Sequence, residues 1–377
     1  MIEKGIVGVE FIAMNTDSQD LRKNLASVKF QLGPKLTGGR GAGGSPQKGE
    51  AAAKEDVDSI KALVENADMV FITAGMGGGT GTGAAPVIAR VAKEMGILVV
   101  GVVTLPFKNE GAGKARLAEE GIKKMRESVD TLVVIPNQQI LKIVDAKTSV
   151  VDAYRIADEV LRQGVQGITD LIIKTGVINT DFSDIESTMR DQGDALMGIG
   201  RASGEDRAQK AVKAAIDNPL LEETCVDGAT RLLVNISGSE DISIVEVDEI
   251  MNIIKVKADP DVNIIHGLII DPALGDHIQV TVIATGFREM VGSVSGKSET
   301  PKKAEAARDD IISVERFNEM RGQGKSSRPG PGDGHFGGQR SRGVPIEEDL
   351  DVPAIYRRQS QELENRTLKF GNGGKEA

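Results

Sequence analysis

The sequence contains no tryptophan, and aromatic residues make up only 3% of its 377 positions. Its core must therefore be built from Val, Ile, Leu and Ala packed closely, not from stacked rings. A single cysteine, Cys225, excludes an intrachain disulfide and a cysteine-rich zinc site. The three histidines, His266, His277 and His335, lie far apart, with no HExxH or paired-histidine spacing. Neither a protein metal site nor histidine catalysis is expected. No apolar run reaches the roughly 18 residues of a membrane span, and the opening MIEKGIVGVEF lacks the features of a signal peptide. A cytoplasmic chain with no direct membrane span is expected. Basic residues are in deficit, giving a formal net charge of −10, which argues against a nucleic-acid partner. Nucleotides are not excluded, because backbone amides and helix N-termini hold phosphate without net positive charge.

Glycine, by contrast, is abundant, with 45 residues that fall in clusters. Up to about residue 148, short β-branched runs such as VEFIAMNTD, ADMVFITAG, ILVVGVVTLP and TLVVIPN alternate with helical patterns, including Ala51 to Glu65 and Ala84 to Met95. Continuous apolar strands separated by helices read as a parallel sheet buried on both faces. From Ser149 to about Ile173, apolar residues recur at spacings of three and four, predicting one long helix capped by Asp145 or Thr148. Gly164 and Gly167 are expected to weaken it locally. From Gly176 to about Phe287, helical stretches precede alternating strands such as RLLVNISG, NIIHGLII and IQVTVIATG, which read as a smaller α+β domain. Beyond Met290, Gly, Ser, Pro and charged residues dominate and cannot bury a core. The expected organisation is a nucleotide domain over 1–148, a bridging helix over 149–175 and a second domain over 176–290. A disordered linker over 291–346, a docking peptide over 347–359 and a tail over 360–377 follow.

The strongest chemical signal is Gly77-Gly78-Gly79-Thr80-Gly81-Thr82-Gly83, set between a strand pattern and a helix pattern. Glycines let amides approach phosphate, the hydroxyls add donors, and the helix dipole favours negative charge. A P-loop requires GxxxxGK[ST]; Gly292 to Ser298 falls one residue short and lies in low-complexity sequence. Gly79-x-Gly81-x-x-Ala84 fits a dinucleotide fingerprint formally, but the next strand ends at Thr104 without the acidic residue that would hold a ribose. Asn179-Thr180-Asp181-Phe182-Ser183-Asp184 is open to two readings. Ser183 with Glu186 fits a helix capping box, and the carboxylates also suit the positioning of a water beside a phosphate.

GGGTGTG in this setting resembles the signature of the tubulin/FtsZ family of GTPases. FIAMNTDSQDL, GRGAGGSP, PNQQILKIVDAKTS, ADEVLRQGVQGITDLI, GIGRASGEDRA, NPLLEE and VTVIATGF fall in the order of its FtsZ branch, over Ile6 to Gly286 and again at Asp351 to Arg358. The resemblance implies a tubulin-like α/β fold with a parallel sheet, a bridging helix and a smaller α+β domain. It implies GTP or GDP as ligand, with Mg2+. Gly41, Ala42, Gly43 and Gly44 would form a second phosphate loop beside Gly77 to Gly83, with Lys114 nearby. Pro106 and Glu110 would approach the ribose, and Asn137, Tyr154 and Asp158 would hold guanine. Asn179, Asp181 and Asp184 would enter the nucleotide site of the next subunit and act on the attacking water. Tyr154 and Asp158, four residues apart on a helix, share one face, as that role requires.

The resemblance further implies head-to-tail self-assembly into filaments of the bacterial division ring at mid-cell. Asp351 to Arg358 would dock membrane-tethering division proteins. Ser45, Glu50, Asn109 and Lys114 depart from the family pattern, and Met1-Ile2-Glu3 aligns inside its first helix. The family's opening strand and phosphate loop are thus expected upstream of Met1. The alternative function is a non-hydrolysing polymer or interaction scaffold of the same descent.

Overall fold

The computed structural model describes residues 1–287, apart from 7, 143, 146, 175, 219–225 and 227. The linker, docking peptide and tail expected from the sequence lie outside the described residues.

The chain opens with β1 (Ile12–Asn15), α1 (Ser18–Lys23), β2 (Val28–Gln31), α2 (Pro34–Thr37), α3 (Pro46–Glu55) and α4 (Val57–Val64). Next come β3 (Met69–Gly75), α5 (Thr80–Glu94), β4 (Leu98–Leu105), α6 (Ala112–Ser128), β5 (Thr131–Pro136), α7 (Asn137–Ile140) and α8 (Val150–Ile173). The remainder is α9 (Phe182–Met189), β6 (Gly193–Ala202), α10 (Arg207–Ile216), β7 (Arg231–Gly238), α11 (Ile244–Lys257), β8 (Asn263–Ile270) and β9 (Ile278–Thr285).

Seven strands form one sheet in the order β3-β4-β5-β6-β9-β7-β8, and β1 and β2 form a separate parallel pair. Strands β3 to β6 run parallel, as the apolar runs predict, while β9 is antiparallel to both its neighbours. The β5–β6 junction is short, pairing only Thr131 to Val133 with Gly193 to Ala195. Alternation along β4 explains its unbroken apolar character. Leu98, Val100 and Val102 face α8, while Val99 and Val103 face the layer of α5 and α6. Further along the sheet, α10 and α11 cover the same side as α5 and α6, packing on Leu232, Val234 and Ile236 of β7.

Ser149 caps α8, its hydroxyl accepting from the Asp152 amide at 3.1 Å. The expected caps Asp145 and Thr148 both precede it, and Ser149 is the residue with extended backbone at the boundary. Gly167 does not interrupt the helix. A methyl there would lie 2.8 Å from Thr281 Cγ2 of β9, so the glycine sets how closely α8 approaches the sheet. Ile168 beside it is fully buried, a position where truncation to alanine costs about 2–5 kcal/mol. The helix expected over Ala51 to Glu65 is two helices broken at Asp56. The Asp56 carboxylate accepts the Gly33 amide at 2.6 Å, and this tertiary bond sets the break.

Candidate functional site

The C-terminal ends of β3, β4 and β5 all run into segments that carry predicted ligand-binding residues. Crevices outside the carboxyl ends of parallel strands are the usual ligand sites of such sheets. Between β3 and α5, the Gly77 amide donates to the buried Thr82 hydroxyl at 2.8 Å, folding the loop back on the first turn of the helix. Gly77 has φ +101°, and a side chain there would press on the Lys114 carbonyl at 2.9 Å. No side chain caps α5, which leaves its first amides to a ligand or to water.

The second glycine loop meets the first at Gly79. A methyl on Gly79 would stand 2.8 Å from Ala42 Cβ and 3.0 Å from the Ser45 nitrogen. Ser45 is the N-cap of α3, its hydroxyl accepting from the Lys48 amide at 3.4 Å. The N-termini of α3 and α5 therefore converge, and two positive dipole ends at one point favour an anion. Gly41, Gly43 and Gly44, all at positive φ, carry the turn into α3. The Gly41 amide donates to the Thr16 carbonyl at 3.1 Å. The Thr16 hydroxyl lies 2.6 Å from that of Thr80. Thr16 is a site residue that the sequence reading does not single out; its signal is a threonine closing an apolar run.

Lys114, on the first turn of α6, donates to Glu110 Oε2 at 3.2 Å, and the Phe107 amide donates to Oε1 at 2.9 Å. Tyr154 stands edge-on to Phe107, with ring centroids 5.1 Å apart and planes at 85°. Burial pushes the Glu110 carboxyl up, but the Phe107 amide, Lys114 and Tyr154 outweigh it and hold the group below its ordinary range. The Tyr154 hydroxyl is shifted up by burial and by the charge of Glu110. Asp158, one turn further on, remains exposed. Crowding by the surrounding chain still pushes its carboxyl up, opposed by the α-amino group of Met1. Pro106 follows β4 directly. Asn137 begins α7, and its side-chain oxygen is buried without a hydrogen-bond partner; Gln138 beside it accepts from the Lys108 amide at 3.1 Å.

A cleft of about 250 Å³ opens at Tyr154, lined also by Phe107, Leu141, Thr148 and Ala153. A cavity of about 300 Å³ lies between α8 and strands β5 and β6. The smaller cleft adjoins the Glu110 cluster through Phe107 and Tyr154, and the larger does not. Among the described residues no group of three or more His, Cys, Asp or Glu side chains is placed to hold a metal. A metal site made by the protein alone therefore does not fit. No helix among the described residues is long and apolar enough to cross a membrane.

Asn179, Asp181 and Asp184 lie elsewhere. From Tyr154 to Ile173 of α8 the helix advances about 28 Å, at 1.5 Å per residue. The chain then passes Asn179, whose Oδ1 accepts the Gly176 amide at 2.7 Å, and enters α9. The far end of α9 is pinned at the opposite end of the sheet from the glycine loops. The Thr131 hydroxyl at the start of β5 donates to the Met189 carbonyl, and Arg190 donates to the Gly96 carbonyl at 3.2 Å. The capping box expected from Ser183 and Glu186 does not form. Asp181 is the N-cap residue, without a side-chain cap bond, because the helix starts two residues earlier than that box requires and Glu186 pairs with Arg190 instead. Asp181 and Asp184 are both exposed.

The departures from the family pattern find partners of their own. Glu50 takes Lys54 at 2.7 Å and Lys124 at 2.8 Å, and Asn109 is exposed beside the Tyr154 cleft.

Residues 3–145 match the Tubulin/FtsZ family GTPase domain, and residues 193–288 match the FtsZ family C-terminal domain. An empty FtsZ dimer structure from M. jannaschii is 44% identical with a TM-score of 0.72, over 76% of this chain and 82% of that chain. A point-mutant FtsZ from M. jannaschii matches with the same identity and TM-score, over 76% of this chain and 86% of that one. The fold also resembles CetZ1 from Haloferax volcanii, a GDP-bound monomer, at 22% identity and TM-score 0.61, over 74% of this chain and 85% of that chain.

Proposed function

The chain belongs to the tubulin/FtsZ family of GTPases, and from that premise we propose that it polymerises head to tail with GTP and hydrolyses the nucleotide between subunits. The two glycine loops hold the phosphates through the converging N-termini of α3 and α5. Glu110 and Pro106 flank the sugar, and Asn137, Tyr154 and Asp158 take the base. Tyr154 offers a ring face, Asp158 a carboxylate for base N–H donors, and the buried Asn137 oxygen an unused acceptor.

The observation that carries this reading is the separation of the two halves of the site along α8. Exposed carboxylates on a helix anchored at the opposite end of the sheet from the phosphate loops cannot act on a nucleotide held by the same chain. Stacked head to tail, one subunit's Asp181 and Asp184 meet the next subunit's glycine loops. There a carboxylate orients the attacking water and takes its proton, while Asn179 fixes the loop through the Gly176 amide. Exposed Val177, Ile244 and Val245 lie on the loop before α9 and at the start of α11, and supply apolar surface for that contact. The M. jannaschii relative described as a dimer supports self-association. Mg2+ would be held chiefly by the nucleotide's own phosphates, which needs no cluster of protein ligands.

We assign the filament to a cytoplasmic division ring, with Asp351 to Arg358 tethering it to the membrane through division proteins. GTP turnover measured against protein concentration tests the central claim. Specific activity should rise steeply above an assembly threshold, and a rate per subunit independent of concentration would sink it.

A further inference from the structure

The last carbonyls of α9 are each taken by a side chain from a different strand. The Arg190 amide donates to the Glu186 carbonyl at 2.7 Å and ends the helical ladder. The carbonyls of Ser187, Thr188 and Met189 are then left without a helical partner. The Arg231 guanidinium of β7 donates to Ser187, and the Thr285 hydroxyl of β9 donates to Thr188 at 2.9 Å. The Thr131 hydroxyl of β5 donates to Met189. In the sheet, β5 lies on one side of β6, and β7 and β9 lie on the other. The end of α9 is thus tied to both parts of the sheet.

Apolar burial by itself does not fix where α9 sits along its axis. Ile185 and Met189 are fully buried in the core beneath α8, which sets the inward face, but hydrophobic attraction is non-directional. Hydrogen bonds are directional. Thr131 and Thr285 are both fully buried, so no water replaces their bonds. A helix of eight residues is too short to persist without such tertiary anchors. Upstream, the chain is anchored at Ile178 by its bridge to Leu268 of β8, and Asp181 at the N-cap makes no side-chain cap bond. From the far end a continuous path leads back to Asp184. The Thr188 carbonyl accepts from Thr285, and the Thr188 hydroxyl donates to the Asp184 carbonyl at 2.9 Å. The Ser187 hydroxyl donates to that same carbonyl at 2.8 Å.

We propose that Thr131 and Thr285 are positioning residues for catalysis between subunits: by holding the last carbonyls of α9, they fix where the Asp184 carboxylate is presented to the next subunit's nucleotide. This rests on the head-to-tail reading above. Both threonines lie at the end of the sheet away from the glycine loops, so they act through Asp184 and not on the nucleotide of their own chain. A carboxylate that orients a water tolerates little displacement, since a shift of about 1 Å can cost about a hundredfold in rate.

The test is turnover per polymerised subunit at saturating GTP, with GTP affinity measured beside it. The full chain carries Thr131→Val, Thr285→Val, Thr131→Ser or Thr285→Ser. Valine keeps the shape and removes the hydroxyl, whereas serine keeps the hydroxyl. Each valine variant should bind GTP as wild type does and polymerise, but turn over about tenfold more slowly or worse. The serine variants should restore the rate. Added to Asp184→Ala, Thr285→Val should lower the residual rate no further, because the hydroxyl acts only through that carboxylate. A merely structural role would lower the melting temperature of the valine variants and leave turnover per polymerised subunit at the wild-type value; that result overturns the proposal. A valine variant that no longer binds GTP or polymerises overturns it as well, because the threonine then holds the fold. Serine variants as slow as valine, or a further loss in the double variant, count against it in the same way. If Asp184→Ala itself turns over at the wild-type rate, the shared-catalysis reading falls, and the proposal with it.

Discussion

The hydroxyl oxygens of Thr16 and Thr80 lie 2.6 Å apart, joining the end of β1 to the first residue of α5. Because β1 pairs only with β2 among the described residues, this bond, with the packing of α3 on α5, ties the two-stranded unit to the main sheet beside both phosphate loops. Thr16 is fully buried, so its hydroxyl has no water to replace the bond. Thr16→Val should cost about 1–2 kcal/mol, read as a lowered denaturation midpoint. Thr80→Val should cost less, since Thr80 is half-buried, and the double variant should cost less than the two added together. Additive costs would mean that the hydroxyls do not depend on each other.

Glycines in one loop are not equivalent. A methyl on Gly79 would press on Ala42 Cβ at 2.8 Å and on the Ser45 nitrogen at 3.0 Å, whereas one on Gly78 would meet nothing within 4 Å. Gly79→Ala should therefore spread the two phosphate loops and weaken GTP binding by about tenfold or more. Gly78→Ala should keep stability within about 0.5 kcal/mol of wild type. Calorimetric GTP titrations and thermal melts on the pair decide the matter; equal loss in both variants would count against the converging-loop geometry.

Glu50 provides a pH-dependent tie between α3 and α6. Hydrogen bonds from Lys124 and Lys54 bring its carboxyl from 4.5 down to about 2. A depressed folded-state value means that the stabilisation is complete above the unfolded value near 4.5 and fades as pH falls toward about 2. The full shift corresponds to about 3 kcal/mol, and solvent screening of two lysines that are more than half exposed reduces it to about 1 kcal/mol. Glu50→Gln should thus be less stable than wild type by that amount near pH 6, with the difference vanishing by about pH 2. Urea denaturation of both proteins across this range gives the difference directly, and a gap independent of pH would refute it.

The strands were legible wherever residues alternate or run apolar without interruption. β7 and β8 have the bounds that RLLVNISG and NIIHGLII suggest, and β3 to β5 lie within their apolar runs. β6 escaped because GDALMGIGRA is rich in glycine. Gly198 serves contact instead of flexibility, since a methyl there would lie 1.8 Å from the Ala215 carbonyl of α10. Local patterns also misplaced the cap at Ser149 and two helix boundaries, at Asp56 and Asp181. At Asp56 the deciding bond comes from Gly33, 23 residues away, and no window of sequence contains it. The same holds within the site. The glycine loops could be read from composition and spacing, but the meeting of Tyr154 with Phe107, 47 positions apart, depends on where β4 ends and α8 begins.

The position of Asp184 leads to the sharpest test of shared catalysis. Asp184 follows the far end of α8, while Gly79 lies at the glycine-loop end. Removing the Asp184 carboxylate leaves the same chain's glycine loops intact, so Asp184→Ala should bind GTP normally and lose turnover by about a hundredfold or more. Gly79→Ala has the complementary defect, a damaged nucleotide site with an intact Asp pair. In a head-to-tail filament each contact joins the nucleotide face of one subunit to the Asp184 loop of the next. An equimolar mixture of the two variants then forms some contacts with the intact nucleotide site of Asp184→Ala and the intact loop of Gly79→Ala. With random order these are about a quarter of all contacts, following the heterologous geometry of the interface. At GTP concentrations too low to fill the Gly79→Ala site, two nearly inactive preparations should therefore recover about a quarter of wild-type turnover when mixed. Sites contained within single chains cannot complement one another, so a mixture as inactive as its components would exclude catalysis across the subunit contact.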